Sequence, residues 1–278
     1  MFPNIAIDDY RLFVFDIDGT IVPHKQRIDP YTVSVFERLR KAAFPFTLAT
    51  GKNIAALRPL AEELGVDLPI IHSNGSILEE LNGDVVLKKK VPMELLDPII
   101  AASEMLNLNL AIFINEEIYV KRETEHLSIL LEYGSPNLNP VGDWGRIADQ
   151  MDNVHKCMVI HRSDNERLLA MEQAIRAAVG GRVEYCHTLV EMLEFMPKGV
   201  SKVTGIEVIT DQMGISFDAV MAFGDGNNDA TMLQKAGLGV SMENGSALAK
   251  DSANLIVPSD TDLGPALFLD HLLRLSGR

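Results

Sequence analysis

The chain has 278 residues, of which 47% are hydrophobic, so it can bury a core in one large domain or in two smaller ones. Its formal net charge of −14 argues against non-specific binding to nucleic acids or anionic membranes, since both need a basic surface. The same charge repels a phosphorylated ligand at long range, so any anion site has to be locally positive.

Composition also constrains location and redox state. No apolar run approaches the roughly 18 residues of a membrane span, and the N-terminus lacks the basic and apolar layout of a secretory signal. The two cysteines, Cys157 and Cys186, have no metal-ligand spacing, so we interpret both as small buried apolar side chains. These observations predict a protein of the reducing cytoplasm.

The first eighty residues alternate between predicted strands and helices. A strand is predicted at 11–15, where the apolar run Phe13-Val14-Phe15 is typical of burial on both faces, and Asp29-Pro30 supplies an N-cap and a first residue for a helix to Lys41. This helix is followed by a strand at 46–49, a helix at 53–64 that stops at Gly65, and a strand at 69–72. Repeated strand–helix units predict a parallel sheet with right-handed crossovers.

The middle of the chain has a different pattern, with paired strands separated by helices. It is predicted to contain, in order, a helix near 93–106, a hairpin of strands 110–114 and 118–121, a helix near 124–133, a loop over 134–145, a strand at 155–160, a helix near 164–178, and strands at 182–186 and 190–195. Such a series is typical of an α+β unit on a mainly antiparallel sheet. Its insertion between two halves of a parallel-sheet domain is the simplest arrangement.

The last eighty residues return to strand–helix alternation. They are predicted to contain a helix capped by Ser201 and ended by Gly214, a strand at 220–223, a short helix that ends at Gly237, and strands at 239–242 and 255–257. We therefore predict an α/β protein with a Rossmann-like, doubly wound parallel-sheet core formed by residues 1–84 and 189–278. Residues 85–188 are predicted to form an inserted α+β cap.

Polar residues follow the predicted core strands at the points where these strands end. They are Asp16 and Asp18 after the first strand, Thr50 after the second, Asp225 with Asn228 and Asp229 after strand 220–223, and Lys202 in the first turn of a helix. The carboxyl edge of such a sheet is where α/β folds place their ligands. Buried acids two residues apart repel each other unless a cation is present, and carboxylates with water are ligands that Mg²⁺ prefers. The set therefore predicts a magnesium ion, with a hydroxyl, an ammonium group and helix amides for a phosphate.

The two acids after the first strand suit different steps of a phosphoryl transfer. An ionised Asp16 can attack a phosphoryl group in line and form an aspartyl-phosphate. Asp18 can protonate the leaving oxygen and later take a proton from water. Mg²⁺ and Lys202 would offset the charge on the transferring group.

Four segments together resemble the motifs of the haloacid dehalogenase superfamily. They are Asp16-Ile17-Asp18-Gly19-Thr20, Thr50-Gly51, Lys202, and Gly224-Asp225-Gly226-Asn227-Asn228-Asp229. Their order, with about 150 residues between the second and the third, resembles that of the Cof-like phosphatases, which carry an α/β cap at this insertion point. The resemblance spans the whole chain.

The resemblance implies a role for each of these residues. Asp16 falls on the nucleophile and Asp18 on the acid/base, and the presence of this second acid implies hydrolysis rather than a lasting aspartyl-phosphate. The metal would be held by Asp16, by the backbone carbonyl of Asp18 and by Asp225. Asp229 is either a further ligand or a residue that favours a helix N-terminus. The positions that contact the substrate phosphate are matched by Thr50, Gly51, Lys202 and Asn228.

Two segments depart from the family pattern. Lys52 follows Thr50-Gly51 where these proteins usually have Arg, so one substrate contact is expected to differ. Ser241-Met242-Glu243-Asn244 replaces the usual Met-Gly-Asn, and the residues after it lack the common Asp-Gly-Val ending. Neither departure involves the catalytic acids, but both are expected to alter the entrance of the site.

We predict a Mg²⁺-dependent phosphatase that hydrolyses a small phosphorylated metabolite, such as a sugar phosphate, without nucleic-acid or membrane partners. Two alternatives remain. A phosphomannomutase-like enzyme has a similar core and cap and the same two acids, but it transfers phosphate within a sugar. A phospho-acceptor signalling module also combines an Asp nucleophile, Mg²⁺, Thr and Lys, but receiver domains are small and lack both the cap and the second acid. The insertion of roughly 100 residues exceeds ordinary loop length and favours a substrate chamber.

Overall fold

The computed structural model describes residues 2–24, 26–132, 135 and 137–278. Its first part contains β1 (Leu12–Phe15), α1 (Pro30–Lys41), β2 (Phe46–Leu48), α2 (Ile54–Leu64), β3 (Ile70–His72), β4 (Ile77–Glu79) and β5 (Val85–Lys88). Helix α1 begins as predicted, because Asp29 accepts a hydrogen bond from the backbone N–H of Tyr31 at 2.8 Å and Pro30 is the first helical residue. Strands β4 and β5 are not predicted from the sequence.

The middle part contains α3 (Met93–Met105), β6 (Asn109–Ile114), β7 (Glu117–Val120), α4 (Ser128–Glu132), β8 (Asn139–Pro140), β9 (Val154–Ile160), α5 (Asn165–Val179), β10 (Val183–Leu189) and β11 (Met192–Pro197). The predicted hairpin and the predicted strands and helices are present here with shifted ends. The expected loop 134–145 contains β8. Residues 134 and 136 of that loop, and residue 133 of the expected helix 124–133, lie outside the described residues.

The last part contains α6 (Lys202–Met213), β12 (Val220–Phe223), α7 (Ala230–Lys235), β13 (Leu238–Met242), α8 (Ala247–Ser252), β14 (Leu255–Val257) and α9 (Gly264–Leu275). Helix α6 begins at the predicted cap, where Ser201 and Thr204 exchange side chain–backbone hydrogen bonds, and it ends at Gly214. Helices α8 and α9 are not predicted by the sequence analysis. Within the described ranges, no helix combines the length and the apolar character needed to cross a membrane.

Five strands form a parallel sheet in the order β14-β13-β12-β1-β2, which we call the core sheet. Its two faces are covered by helices. Phe13 and Phe15 pack with α1, α2 and α9 on one face, and Leu12 and Val14 pack with α6 and α7 on the other. Burial on both faces explains why β1 is an uninterrupted apolar run. The predicted α/β core is confirmed.

Six strands form a second sheet in the order β10-β11-β9-β6-β7-β8, which we call the cap sheet. Its pairs are antiparallel except β7 with β8. Helices α3 and α5 cover one face, and the other carries a smaller apolar cluster. Because Pro197 of β11 pairs with Val183 of β10, the cap sheet continues to Pro197. We therefore propose that the boundary predicted at 188/189 lies after Pro197 and, because β5 pairs with β4, that the boundary predicted at 84/85 lies after Lys88.

The predicted third parallel strand, 69–72, forms β3 and runs parallel to the end of β2, where a bridge joins Ala49 and Ile71 and the Thr50 N–H donates to the Ile71 carbonyl oxygen at 2.9 Å. Its main partner, however, is β4, with which it forms a small antiparallel sheet that also contains β5. The reason is the tight turn after β3, in which Ser73 and Asn74 adopt φ values of 51° and 56° and reverse the chain. This turn brings Asn74 to the edge of the core sheet.

Candidate active site

Three neighbouring strand ends bring the predicted site residues together. Asp16 directly follows β1, Thr50 lies just beyond β2, and Asp225 lies just beyond β12. Because β1 lies between β2 and β12, the three side chains meet at the carboxyl edge of the core sheet. A cavity of about 310 Å³ lies there, and every predicted site residue except Lys202 lines it.

Asp16, Asp225 and Asp229 form an acidic cluster in which one carboxylate oxygen from each residue lies within 4.8 Å of the others. Thr20 fixes Asp225 by donating its hydroxyl to Oδ1 at 2.8 Å. Gly19 has a φ of +84° and passes so close that a Cβ there would lie 2.4 Å from Asp225 Oδ2. Gly19 and Thr20 thus have structural roles, since Gly19 leaves room for the side chain of Asp225 and Thr20 orients it.

Lys202 is fully buried beneath this cluster. Its Nζ donates hydrogen bonds to Asp16 Oδ1 and Asp229 Oδ1, both at 2.5 Å. Burial alone lowers the pKa of Lys202, but the carboxylates of Asp16 and Asp229 outweigh this effect and raise that pKa above its usual value. Lys202 is therefore a fixed positive charge in contact with the predicted nucleophile.

The cluster carries more negative charge than Lys202 neutralises. Burial, and then repulsion by Asp16 and Asp229, raises the pKa of Asp225. Burial also raises the pKa of Asp229, although Lys202 opposes this effect. A divalent cation relieves such a conflict, and a set of carboxylate oxygens is typical of Mg²⁺ sites. The residues present therefore fit the predicted metal.

Asp229 differs from the other two acids because both of its carboxylate oxygens have protein partners. Oδ1 accepts the hydrogen bond from Lys202, and Oδ2 accepts one from the backbone N–H of Gly226 at 2.7 Å. The structure thus places Asp229 in the acidic cluster and also gives it the helix-terminal role considered in the sequence analysis, immediately before α7.

Asp18 lines the cavity and is paired with Lys52, whose Nζ donates to Oδ1 at 2.8 Å. Burial raises the pKa of Asp18, and the Lys52 ammonium group partly opposes this shift. A carboxyl group with a raised pKa holds a proton more readily, as a general acid must. Within the described part of the chain, the Asp18 side chain is not a member of the acidic cluster, so its backbone carbonyl remains the expected metal contact.

The predicted phosphate-binding residues border the same cavity. Thr50 is buried, and its hydroxyl oxygen accepts a hydrogen bond from the backbone N–H of Lys52 at 3.1 Å. Asn228 donates its side-chain amide to Asn74 Oδ1 at 2.9 Å, which fixes the orientation of the Asn228 side chain. The carbonyl of Gly51 accepts a hydrogen bond from a lysine of the cap sheet.

That lysine, Lys156 on β9, belongs to a buried polar network that the sequence analysis misses. Its Nζ lies 2.7 Å from the Gly51 carbonyl oxygen and 3.1 Å from Glu194 Oε2 on β11. Glu194 also accepts hydrogen bonds from Asn74 Nδ2 at 3.0 Å and from Thr188 Oγ1 at 2.7 Å. The available signal was that Lys156 and Glu194 are charged residues inside otherwise apolar strands, where charges are rare unless paired.

Other candidate residues have structural roles. His72 ends β3 and is buried, with its ring nitrogens near Ser73 Oγ and Glu79 Oε2. Of the two free cysteines, Cys157 is buried and Cys186 is half-buried. Burial raises the pKa of both thiols to about 12, so they remain protonated and unreactive at neutral pH.

Solved structures share this architecture. A haloacid dehalogenase-like hydrolase from Bacteroides thetaiotaomicron has a TM-score of 0.85 at 23% identity, and the match covers 95% of this chain and 99% of that one. A sugar phosphatase of subclass IIB of the same superfamily has a TM-score of 0.82 at 23% identity, with coverage of 94% and 98%. At this identity the two matches show a common fold.

Sequence comparison gives the family. The HMP-PP phosphatase of Escherichia fergusonii is 25% identical over 234 residues, which cover 84% of either chain. The family model of the haloacid dehalogenase-like hydrolases matches residues 13–269, a range that includes all four motifs and the cap sheet. The chain therefore belongs to the haloacid dehalogenase-like hydrolases, as its motifs predict.

Proposed function

We propose that this hydrolase is a Mg²⁺-dependent phosphatase that cleaves a small phosphomonoester, such as a sugar phosphate, through an aspartyl-phosphate on Asp16. The observation that carries the proposal is the contact between Asp16 and the buried Lys202. Asp16 also belongs to the acidic cluster, and a second acid, Asp18, follows it two residues later. The names of the similar proteins, an HMP-PP phosphatase and a sugar phosphatase, support this reaction class.

The metal would be held by Asp16, Asp225 and the backbone carbonyl of Asp18, with Asp229 beside them. When bound, Mg²⁺ supplies positive charge against the phosphoryl oxygens, which is the main catalytic need of such a reaction. Lys202 supplies a second positive charge that is built into the protein. The Thr50 hydroxyl and the Asn228 amide would donate hydrogen bonds to the phosphate.

The two acids would divide the reaction between them. An oxygen of Asp16 attacks the phosphorus atom and the ester bond to the leaving group breaks, while Asp18 donates its proton to the leaving oxygen. Asp18, now a carboxylate, then takes a proton from water, and this water attacks the aspartyl-phosphate. Phosphate leaves, and Asp16 and Asp18 return to their starting states.

The replacement Asp16→Asn tests the proposal, because an amide cannot act as the nucleophile but occupies the same space. We expect hydrolysis of p-nitrophenyl phosphate with Mg²⁺ to fall by a factor of about a thousand or more. The matched control is Asp251→Asn, since Asp251 is exposed on α8 and should not affect turnover. Far-ultraviolet circular dichroism checks that both variants fold.

Undiminished turnover by folded Asp16→Asn protein would overturn the mechanism. Chelation of the metal by EDTA should abolish wild-type turnover, and added Mg²⁺ should restore it. Phosphate released from a hexose phosphate, compared with isomerised hexose phosphate, separates a phosphatase from a mutase. A phosphoprotein that persists for minutes after removal of substrate would favour the signalling alternative.

A further inference from the structure

The wall that the cap sheet contributes to the cavity contains polar side chains that already bond to each other or to the core. Lys156 is paired with Glu194 and with the Gly51 carbonyl, and its Nζ also lies 4.2 Å from the centre of the Phe113 ring. The Thr188 hydroxyl is donated to Glu194. These groups already have partners within the protein, so they gain less from a ligand hydroxyl than unpaired polar groups would.

The rest of this wall is mostly apolar. Phe113 on β6, Leu130 on α4, Met158 on β9 and Met192 on β11 line the cavity and belong to one buried cluster. Ser135 is the remaining polar lining residue among the described residues of this wall. Two methionines beside a phenylalanine suit a flat aromatic group, because thioether sulfur atoms make favourable contacts with ring edges. Sugar hydroxyls would lose hydrogen bonds to water here without replacement.

The size of the cavity limits the ligand further. About 310 Å³ is at the lower end of the roughly 300–1,000 Å³ typical of small-molecule sites. The predicted phosphate position occupies the end of the cavity that the core sheet forms. The rest of the cavity suits a single ring rather than a dinucleotide or an oligosaccharide.

We propose that the preferred substrate of this phosphatase is a monophosphate ester of a compact aromatic or heteroaromatic alcohol, with its ring held between Met158, Met192 and Phe113. The inference rests on the proposed function and narrows its substrate class. It departs from the sugar phosphate of the sequence-based expectation, because the cap wall offers a ring an apolar surface and offers hydroxyl groups few partners.

The test compares three esters of primary alcohols, whose leaving groups have similar intrinsic reactivity: benzyl phosphate, glucose 6-phosphate and ethyl phosphate. We expect kcat/KM of the wild-type chain with Mg²⁺ to be at least about ten-fold higher for benzyl phosphate than for either of the others. The phosphonate isosteres give a readout without turnover. 2-Phenylethylphosphonate should inhibit hydrolysis of p-nitrophenyl phosphate at a lower concentration than propylphosphonate.

A variant tests whether the aromatic ring of the substrate binds beside Met158. Met158→Gln has a similar length but replaces the thioether by an amide, and we expect the ratio of kcat/KM for benzyl over ethyl phosphate to fall by about ten-fold. The ratio is internal to each preparation, so a partly folded sample does not change it. Met105→Gln is the matched control, because Met105 is exposed on α3 and away from the cavity, and it should keep the wild-type ratio.

The outcomes separate the two proposals. If glucose 6-phosphate is hydrolysed as well as benzyl phosphate or better, the substrate class is wrong and the phosphatase proposal stands. The same conclusion follows if Met158→Gln retains the wild-type ratio. If none of the three esters is hydrolysed although p-nitrophenyl phosphate is, the substrate class is wrong and the phosphatase proposal stands. If p-nitrophenyl phosphate is not hydrolysed either, both proposals fail.

Discussion

At the scale of single residues, the contact between Lys52 and Asp18 gives a role to a departure from the family pattern. The side chains are 23% and 19% exposed, so water screens the pair only in part. Lys52 contacts the carboxyl group of Asp18, and the proposed mechanism needs the same group to face the leaving oxygen. We therefore infer that Lys52 is a positioning residue for the proposed acid/base.

Replacement of Lys52 by Met should slow the hydrolysis of those esters whose leaving group must be protonated as it departs. For ethyl phosphate we expect kcat/KM to fall by about ten-fold or more, because alkoxide leaves poorly without general acid catalysis. For p-nitrophenyl phosphate, whose leaving group is stable as an anion, kcat/KM should change little, because this ratio reports only the steps up to departure of the leaving group. Lys52→Arg should restore ethyl phosphate turnover, and Lys41→Met, at an exposed lysine on α1, is the control. Equal losses on both esters would contradict the positioning role.

At the scale of secondary structure, the turn between β3 and β4 determines how α6 approaches the site. Gly75 in this turn has a φ of +90°, and a Cβ at this position would lie 1.9 Å from the carbonyl oxygen of Ser201. Ser201 is the N-cap of α6, and Lys202 is its first residue. The close approach of turn and cap therefore holds Lys202 against Asp16.

The replacement Gly75→Ala should destabilise the fold by at least about 2 kcal/mol, because it adds a backbone clash to the cost of a left-handed alanine. Gly83→Ala is a matched control, since Gly83 has a φ of +95° with no atom within 4 Å of the position that a Cβ would occupy, and it should lose only about 1 kcal/mol. Urea unfolding measures both. Equal losses in the two variants would mean that the turn can move away from α6.

The elements predicted correctly are those with strong local signals. Strand β1 is an uninterrupted apolar run, and α1 has an Asp cap followed by Pro. Helix α9 has a proline in its first turn, Pro265, but it lacks the polar cap, because its N-cap position is Leu263, which makes no capping hydrogen bond. Strand β4 has only three residues, and its partners are supplied by the chain on either side.

The residues of the candidate site also fall into two groups, those that local sequence predicts and those that it does not. Asp16, Thr50 and Asp225 follow apolar strands of one sheet, so their meeting point can be predicted from local pattern and topology. The contacts of Lys156 with Gly51 and of Glu194 with Asn74 join residues separated by more than a hundred positions. Such pairs depend on how the cap sheet is set on the core sheet, and local sequence carries no information about that.

At the scale of the whole molecule, a second set of buried polar contacts lies where the cap sheet meets the core. His155 of β9 is fully buried, and its Nε2 lies 3.2 Å from Ser73 Oγ in the turn after β3. Its Nδ1 has no hydrogen-bond partner among the described residues. Burial, and then the nearby His72, Lys156 and Lys88, hold the pKa of His155 well below its usual value, so the ring is neutral in the folded protein.

This arrangement predicts acid sensitivity with a definite sign. Below pH of about 6.5 the unfolded chain binds a proton on His155 and the folded chain does not, so the free energy of unfolding falls as the pH falls toward the lowered pKa. One such group contributes up to about 1.4 kcal/mol per pH unit. His155→Gln should reduce this slope between pH of about 6.5 and 5, and should leave the slope above about pH 7 unchanged. An unaltered acid slope, measured by urea unfolding, would contradict the prediction.

The position of Asn74 has a consequence for how this enzyme can change. Its side-chain oxygen accepts a hydrogen bond from Asn228 at the proposed phosphate end of the cavity, while its side-chain nitrogen donates one to Glu194 on the cap sheet. A substitution at Glu194 that altered leaving-group preference would therefore disturb phosphate affinity as well. On the proposed function, recognition of the phosphate and of the leaving group is therefore coupled through Asn74, and a cap exchanged from a relative would have to bring a matching partner for this residue.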